Sequence, residues 1–305
     1  MTNSDAPHDA ISIGDLARTT GVAVETIRMW ERRYGRPTSI RLPSGHRRYS
    51  MEEARWLLRV AEAVAHGLRP SEALRATPER LTALLAAANP APPVAPDEWL
   101  DLARRFDAEG LAARLRGESA GRTPTEFVAQ VVAPLLASVG RAWAEGRIDV
   151  RHEHFLSEVM IDALRALRAA TAHAPDGPRG PPRVLLTTLP GERHAFGAEM
   201  AAVVAAHAGG RCVLLGADTP IGDIAAAARE CSADIVALSV TVAHGGVDAD
   251  REIAALRALL PPWVRLVAGG AGTRRPRRAP RGIEYVEDFA RFEEIVRGHR
   301  ARVAS

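Results

Sequence analysis

Two proline-rich stretches divide this 305-residue chain into three segments, and this division limits the folds that it can adopt. The first stretch is Asn89–Pro96 and the second is His173–Pro182. Proline fixes a backbone torsion and lacks an N–H donor, so both stretches indicate extended linkers. We therefore expect three domains rather than one small module, at residues 1–88, 97–172 and 183–305.

The middle segment has the periodicity of amphipathic helices. Apolar residues recur at helical spacing at Trp99, Leu102, Ala103 and Phe106, then at Phe127, Val131, Leu135 and Val139, and then at Phe155, Val159 and Leu164. Such stripes bury one face of each helix against its neighbours. Several helices of this kind predict a helical bundle.

The last segment alternates short apolar runs with alanine-rich helical stretches. The runs are Val184–Thr188, Arg211–Leu215, Ile235–Val240 and Val264–Val267. Strands that alternate with helices are typical of a parallel sheet covered on both faces. This segment is therefore predicted to be α/β, with a doubly wound, Rossmann-like sheet.

The cysteine and apolar patterns favour an intracellular protein. Cys212 and Cys231 lie far apart and have no C-x-x-C spacing, so neither a disulfide framework nor a zinc site is indicated. No N-terminal apolar region is evident, and no apolar run reaches the roughly 18 residues of a membrane helix. We expect a cytoplasmic location and no membrane partner.

Two short helices hinged at a glycine are predicted near the start of the chain. Leu16 and Ala17 precede Gly21, while Val22 and Ile27 follow it, and these apolar residues would pack the two helices together. This is helix-turn-helix spacing, in which the second helix contacts DNA. The outer face of that helix carries Glu25, Thr26, Arg28 and Arg32.

The stretch Arg41–Tyr49 suits a β-hairpin wing beside these helices. Its Arg47 and Arg48 can clamp the DNA backbone, while Tyr49 packs or hydrogen-bonds beside them. Residues 28–48 hold seven arginines and a single acidic residue. A local excess of this kind is typical of phosphate binding. The alternative is a small helical protein-interaction domain with a solvated arginine face.

With a further helix predicted from Glu52, these features closely resemble the MerR family of transcription regulators over roughly residues 11–75. The resemblance implies a winged helix-turn-helix that binds double-stranded operator DNA as a dimer. The chain departs from most of that family because Pro78 and the first linker leave no room for a long coiled-coil helix. Self-association must then come from elsewhere in the chain.

A histidine motif follows the first predicted strand of the last segment. Glu192, His194 and Gly197 form the pattern E-x-H-x-x-G in a loop before an alanine-rich helix. A neutral imidazole is a good cobalt ligand, and Glu192 can fix its tautomer by accepting the other ring N–H. Alone, the motif is more often a solvated or hydrogen-bonded loop histidine.

Two later features lie where ligands bind in open α/β sheets, at the carboxyl ends of strands. Ser239 and Thr241 end one predicted strand, and Gly269 and Gly270 close the next. Small residues at these positions let a long group enter the crevice of the sheet. The two hydroxyl groups can hydrogen-bond to it.

In this order, the motifs resemble the cobalamin-binding domain of methionine synthase and its relatives. The resemblance implies that His194 is the lower axial ligand of cobalt and that Glu192 supports it, with Gly197 completing the motif. It further implies that the nucleotide tail of cobalamin lies along Ser239, Thr241, Gly269 and Gly270.

The middle segment adds a third signal, since nine residues separate Trp143 from the pair Glu153-His154. With the MerR module and the cobalamin domain, this string resembles the CarH and LitR photoreceptor repressors along nearly the full chain. The resemblance implies that the bundle caps adenosylcobalamin. Trp143 and Val150 would surround the adenosyl group, Glu153 would contact it, and His154 would become the upper cobalt ligand after light. The alternative is a core tryptophan and a surface histidine.

The function implied is that of a repressor, not an enzyme. An adenosylcobalamin-loaded homo-oligomer, expected to be a tetramer, would bind operator DNA in the dark and release it after photolysis of the cobalt–carbon bond. The alternatives are a light-independent repressor that senses cobalamin level, a methylcobalamin carrier for a methyltransferase, and a cobalamin-free scaffold. The DNA-binding module opposes the carrier, His194 opposes the scaffold, and Trp143, Glu153 and His154 favour the photoreceptor.

Overall fold

The computed structural model describes residues 10–65, 68–88, 97–171, 180–241, 244, 247–273 and 281–304. The first proline-rich linker, Asn89–Pro96, lies outside the described residues, and so does most of the second. The linker conformation predicted there, and the division into domains that rests on it, stay predictions.

The N-terminal unit is a small winged helical fold. Its elements are β1 (Ile11–Ser12), α1 (Ile13–Thr20), α2 (Val24–Tyr34), β2 (Ile40–Arg41), β3 (Arg47–Tyr49), α3 (Met51–Ala65), α4 (Pro70–Ala73) and α5 (Pro78–Ala88). The three strands form an antiparallel sheet in the order β1-β3-β2. The predicted wing is therefore confirmed as a hairpin, and β1 adds a third strand that the sequence analysis did not predict.

The hinge between α1 and α2 follows from local capping. The Ser12 hydroxyl accepts the Asp15 N–H at 3.1 Å, so α1 begins at a capping box. Gly21 ends the helix in the left-handed region, with φ of 70° and its N–H donated to the Ala17 carbonyl. Ile27 is fully buried between the helices. The predicted helix-turn-helix is present.

The middle segment is a helical bundle, as predicted. It contains α6 (Asp97–Arg104), α7 (Ala108–Ser119), α8 (Pro124–Phe127), α9 (Ala133–Ala144) and α10 (Val150–Thr171). A π-helical turn at Val128–Val132 joins α8 to α9. Pro134 explains this turn, because it has no N–H to donate to the Gln130 carbonyl and its ring crowds that group.

Phe106 departs from the predicted apolar stripe. Helix α6 ends at Arg104, and Phe106 adopts a positive φ of 54° with half of its surface exposed. Its ring centroid lies 5.3 Å from that of His152 and 5.2 Å from that of Phe155, both in α10. The helical period breaks before Phe106, so its prediction as a core residue was wrong.

The C-terminal unit is a doubly wound α/β fold, as predicted. Its elements are β4 (Arg183–Thr188), α11 (Phe196–His207), β5 (Arg211–Gly216), α12 (Ile221–Glu230), β6 (Ile235–Ser239), α13 (Val247–Leu259), β7 (Arg265–Gly269), a 3₁₀ turn (Ala271–Thr273), β8 (Ile283–Val286) and α14 (Phe289–Ala304). The five strands are parallel in the order β5-β4-β6-β7-β8. Four of them were predicted, whereas β8 was not.

Strand order determines where this sheet can bind a ligand. The chain turns outward in opposite directions from β4, toward β5 on one side and toward β6 on the other. A crevice forms at the carboxyl ends of strands at such a switch point. The loops after β4 and β6 meet at this place.

The bundle packs on one face of the sheet. Helices α11 and α14 belong to the same apolar core as the bundle, whereas α12 and α13 cover the opposite face. Helix α10 lies against α11, where Arg165 Nε is 3.1 Å and Arg168 Nη1 is 3.5 Å from the buried carboxylate of Glu199. The bundle therefore packs against α11, the first helix of the α/β unit.

One helical run within the described residues, Pro124–Ala144, is long and apolar enough to cross a membrane by length and composition alone. It is not a continuous apolar run of the kind that the sequence was expected to lack, because Glu126 and Arg141 interrupt it. Half of its most apolar stretch is buried, and the core helix of a soluble protein meets the same criteria. The run is weak evidence for a membrane span.

Candidate cofactor site and DNA interface

The carboxyl edge of the sheet brings together the three predicted parts of the cofactor site. Thr188 of β4 is the register neighbour of Ser239 in β6, which is the neighbour of Gly269 in β7. The loop with Glu192 and His194 follows β4 directly. Residues separated by about eighty positions in the sequence therefore line one crevice.

The Glu192 carboxylate is the centre of a hydrogen-bond network in this crevice. Its Oε1 accepts the ring Nδ1–H of His194 at 2.6 Å and the backbone N–H of His194 at 2.9 Å. Its Oε2 accepts the backbone N–H of Thr241 at 3.1 Å and the Thr241 hydroxyl. Only 2% of Glu192 is exposed. Four donors therefore compensate the burial of one carboxylate.

This network determines the tautomer of His194. A carboxylate can only accept, so the proton of the neutral ring stays on Nδ1 and the lone pair lies on Nε2. The side chain of His194 is 36% exposed. His194 therefore presents a single basic nitrogen to a ligand, in an orientation that Glu192 holds.

The pKa values of the pair are shifted in opposite directions. Burial is the largest effect on His194 and opposes its protonation, but the hydrogen bond and charge of Glu192, with the charge of Glu153, raise the pKa above its ordinary value. Burial likewise opposes ionisation of Glu192, but its bonds to His194 and Thr241 and the charge of His194 lower its pKa. The pair therefore favours an ionised acid beside a readily protonated imidazole.

Gly197 and Gly270 are required by close approaches within the fold. A Cβ on Gly197 would collide with the Ser239 hydroxyl, so this glycine lets α11 start against the end of β6. Gly270 has φ of 110°, and a Cβ there would collide with the Val240 carbonyl. A Cβ on Gly269 would lie 2.7 Å from Val286 Cγ2. All three glycines bring the crevice walls close together.

Thr188 and Asp218 brace the His194 loop, and the sequence analysis missed both. The Thr188 hydroxyl donates to the Glu192 carbonyl at 2.6 Å and accepts the Asp218 N–H at 2.8 Å. Asp218 Oδ1 accepts the Gly191 N–H at 2.6 Å. Polar residues that end one predicted strand and follow the next are a signal that could have identified them.

The start of α10 carries the predicted upper residues. Glu153 Oε2 lies 2.5 Å from His154 Nδ1, and Glu153 Oε1 accepts the Ser157 hydroxyl at 2.8 Å. His154 is half exposed, and Val150 is partly buried. The neighbouring His152 is buried, where its Nδ1 accepts the Asp149 N–H at 3.1 Å. His152 therefore caps the helix, and His154 is the histidine that α10 leaves accessible.

Trp143 lies at the end of α9 with 2% of its surface exposed. Its indole Nε1 is buried without a hydrogen-bond partner in the described part of the chain. Buried indole N–H groups usually have a partner, so this atom is suited to an acceptor on a bound group.

The start of α10 lies within electrostatic range of the His194 loop, because the Glu153 carboxylate contributes to the raised pKa of His194. Glu153 therefore contacts one candidate histidine, His154, and acts through its charge on the other. One imidazole suits a metal whose in-plane ligands come from a macrocycle, whereas a bare ion needs several protein ligands. The donor set on the described residues fits a corrinoid in this respect.

The DNA interface has an exposed helix face and a braced wing. Arg28 and Arg32 are exposed on α2, Thr26 is partly buried beside them, and Arg47 and Arg48 are partly exposed on β3. These predicted residues lie in the helix-turn-helix unit as expected. Their roles in binding DNA stay predictions.

Tyr49 packs and hydrogen-bonds beside the wing arginines, and it exposes no surface with which to contact DNA. It is completely buried, and its hydroxyl donates to Glu31 Oε1 at 2.9 Å, while Arg47 Nε lies 3.1 Å from Glu31 Oε2. Burial and the contacts with Glu31 raise the pKa of Tyr49 far above its usual range. Tyr49 therefore anchors the wing to α2 and does not reach DNA itself.

Fold and site define a class of protein, a DNA-binding regulator joined to a corrinoid-binding region. The MerR HTH family regulatory protein model matches residues 11–79, and models described as B12 binding domain match residues 97–168 and 182–296. The chain thus has a MerR-type helix-turn-helix and B12-binding domains.

Two relatives from Myxococcus xanthus specify the family. The chain is 32% identical to the HTH-type transcriptional repressor CarH over 273 residues, 86% of this chain and 89% of that protein. It is 33% identical to the HTH-type transcriptional repressor CarA over 304 residues, 94% of this chain and 95% of that protein. The chain belongs to this family of CarH-type transcriptional regulators, which confirms the predicted resemblance and a non-enzymatic role.

Solved structures are more distant. The Methanosarcina barkeri monomethylamine corrinoid protein is 14% identical, covering 66% of this chain and 96% of that chain with a TM-score of 0.49. The methanol:cobalamin methyltransferase complex MtaBC of the same organism is 17% identical, covering 80% of this chain and 92% of that chain with a TM-score of 0.35. No functional argument rests on them.

Proposed function

We propose that this protein is a light-responsive repressor. It binds operator DNA as an adenosylcobalamin-loaded oligomer in the dark and releases the DNA after photolysis of the cobalt–carbon bond. One observation carries the proposal: Glu192 orients His194 at the carboxyl edge of the sheet, and Glu153, which contacts His154 at the start of α10, raises the pKa of that same His194. His194 and His154 are therefore the two histidines that could hold cobalamin, one from the α/β unit and one from the bundle.

On the lower side, His194 would hold cobalt through Nε2, because Glu192 keeps the ring proton on Nδ1. Thr241 fixes the carboxylate of Glu192, so the imidazole has little freedom to turn away. Ser239 and Thr241 then bind the nucleotide tail through their hydroxyls, and Gly269 and Gly270 line its path. The register of β4, β6 and β7 supports this arrangement.

On the upper side, Trp143 and Val150 pack around the adenosyl group, and the Trp143 N–H can donate to it. Bound adenosylcobalamin supplies a weak cobalt–carbon bond that light can break. Glu153 holds His154 through Nδ1, so Nε2 of His154 carries the lone pair and would be available to hold cobalt once the adenosyl group is lost.

Assembly links this site to DNA. Helix α5, at the place of a long dimerisation helix, has 11 residues, so the cobalamin-binding half is proposed to join the subunits, as a tetramer in the dark. Several DNA-binding units on one particle bind an operator more tightly than one unit does. Loss of the oligomer therefore releases DNA. We place this activity in the cytoplasm, without a membrane partner.

An absorption spectrum tests the cofactor chemistry directly. Purified protein mixed with adenosylcobalamin in the dark should show a cobalamin bound through imidazole, and green light should change the spectrum irreversibly. His194→Ala should lose the imidazole-bound spectrum, whereas the control His207→Gln, far along α11, should keep it. A bound cofactor whose illuminated spectrum matches that of free cobalamin would favour the light-independent sensor of cobalamin level. No binding at all would reject both.

A further inference from the structure

Helix α3 of the DNA-binding unit packs against the end of α9 in the bundle. The Arg59 guanidinium donates to the Ala144 carbonyl at 3.4 Å. Arg55 lies one helical turn earlier, and its Nη1 is 3.1 Å from the position that a Cβ on Gly146 would occupy. Glu62 lies on the same face, because positions 55, 59 and 62 repeat with helical spacing. We call Arg55, Arg59 and Glu62 the α3 face.

The contact is chemically suited to a helix terminus. The carbonyl groups at the end of α9 lack N–H donors within the helix, and they carry the partial negative charge of its C-terminus. Arg59 satisfies one of them, at Ala144, and the guanidinium of Arg55 lies against the following turn. Gly146 has φ of 74°, so the chain turns back at this point without a side chain between the two units.

Glu62 adds an electrostatic interaction across the same surface. Burial raises the pKa of Glu62, and the nearby charges of Arg141 in α9 and Arg59 in α3 oppose that shift. The carboxylate is therefore partly desolvated between cations from both units. Removing one partner would leave a partly buried charge uncompensated.

This surface adjoins the proposed cofactor site. Arg141 and Ala144, which the α3 face contacts, flank Trp143, whose indole is buried with an unpartnered N–H. The turn after Ala144 leads directly to Val150 at the start of α10. Any movement of Trp143 or of this turn must therefore alter the contact with α3.

We propose that the α3 face is the joint through which the cofactor site sets the placement of the DNA-binding unit. This inference rests on the proposed function in one respect: a change in bound cobalamin is what moves Trp143 and the turn after α9. The contact orients the recognition helix relative to the bundle, and a change at the turn after α9 shifts that orientation. Operator binding and cofactor binding are then coupled within one subunit, in addition to any coupling through assembly.

The test removes the joint without changing net charge. The double variant Arg59→Gln/Glu62→Gln loses one cation and one anion, so long-range attraction to DNA is kept. The matched control Glu72→Gln/Arg75→Gln makes the same exchange at exposed positions of the same unit. Both are compared with the wild type by hydrogen exchange of cobalamin-free protein and by operator binding with and without adenosylcobalamin in the dark.

Amides 145–147 should exchange about fivefold faster in the double variant, because the turn loses its anchor, and should be unchanged in the control. The ratio of operator affinities with and without cobalamin should move about threefold or more toward one in the double variant only. If the double variant does not fold, the same two measurements are made on the single variant Arg59→Gln. The proposal would be overturned if amides 145–147 exchanged at the wild-type rate in the double variant. It would also be overturned if they exchanged faster while the ratio of operator affinities stayed unaltered. A wild-type ratio of one would instead reject the proposed function, while the exchange data still decide whether the contact exists.

Discussion

At the scale of residues, Glu192 determines what His194 can do. It holds the ring by two hydrogen bonds and raises its pKa against the effect of burial. A protonated imidazole cannot bind a metal, so cobalamin binding through His194, as proposed, would compete with protonation that Glu192 favours. Orientation and proton affinity therefore act in opposite directions on cobalamin binding.

A pH titration of cobalamin affinity should reveal this competition. Because the pKa of His194 is raised in the folded protein, affinity should increase with pH until the pH exceeds that pKa and then become constant. Without cofactor the sign reverses: His194 stabilises the folded state fully below its unfolded pKa, and this contribution is lost as pH rises through the folded pKa. Affinity and unfolding would be measured from about pH 5 to pH 9.

Glu192→Gln is the informative variant, because it removes the charge that raises the pKa of His194. The rise in cobalamin affinity should then shift to lower pH, and the maximum affinity should fall because the ring is less well oriented. A pH profile identical to that of the wild type would show that Glu192 does not control the titration of His194.

The contact between Gly197 and Ser239 gives a second prediction. Gly197→Ala should destabilise the folded protein by about 1–3 kcal/mol, since the new methyl group collides with the Ser239 hydroxyl. Gly197→Ala/Ser239→Ala removes that hydroxyl and should recover part of the loss. Urea unfolding of both variants and of Ser239→Ala alone measures this, and strictly additive effects would contradict a direct contact.

At the scale of elements, the wing is held on the recognition helix by Glu31. This residue binds both Arg47 and Tyr49, so the position of β3 follows that of α2. Arg47 thus has two possible partners, Glu31 and a DNA phosphate, whereas Arg48 has no acidic partner among the described residues. The wing and the helix should act on DNA as one rigid surface.

Replacing Arg47 and Arg48 by Ala should weaken operator binding about tenfold or more and reduce its dependence on salt. Cobalamin uptake should be unaffected, because both residues lie in the N-terminal unit. The exposed pair Arg75→Ala/Arg80→Ala serves as a control for lost positive charge. Gel-shift titrations at several salt concentrations measure the effect, and equal losses in both pairs would remove the wing from the interface.

Sequence patterns predicted the elements that are determined locally. Gly21 marks the hinge of α1 and α2, and the apolar runs mark four parallel strands. The two-residue strand β1 could not be predicted, because it exists only through pairing with Tyr49 and Arg48. Burial of Tyr49 depended on Glu31, which is eighteen positions away. The cofactor site shows the same limit of local patterns. The E-x-H-x-x-G motif indicated His194, but the hydrogen bond from Thr241 to Glu192 depends on the register of β4 and β6.

At the scale of the whole molecule, the bundle connects DNA recognition to the cofactor site. Its helix α10 packs on α11 through Glu199, and its helix α9 contacts α3 through the Ala144 carbonyl. A displacement of the bundle would therefore reach both neighbouring units. We propose that the light response consists of this displacement and of the loss of assembly that follows.

His154→Ala separates photolysis from its consequence. The variant should assemble with adenosylcobalamin in the dark and should still lose its adenosyl group in light, since Trp143 and Val150 are intact. The photoproduct should lack the spectrum of cobalamin with two imidazole ligands. Retention of that spectrum would show that a residue other than His154 takes the upper position.

The most direct test of the central claim is size-exclusion chromatography with operator DNA, in the dark and after green light. Protein loaded with adenosylcobalamin should elute in the dark as a large species bound to DNA, with the mass of a tetramer. Illumination should convert it into a smaller species and free DNA. An oligomer whose size and DNA binding are the same in darkness and light would contradict the account.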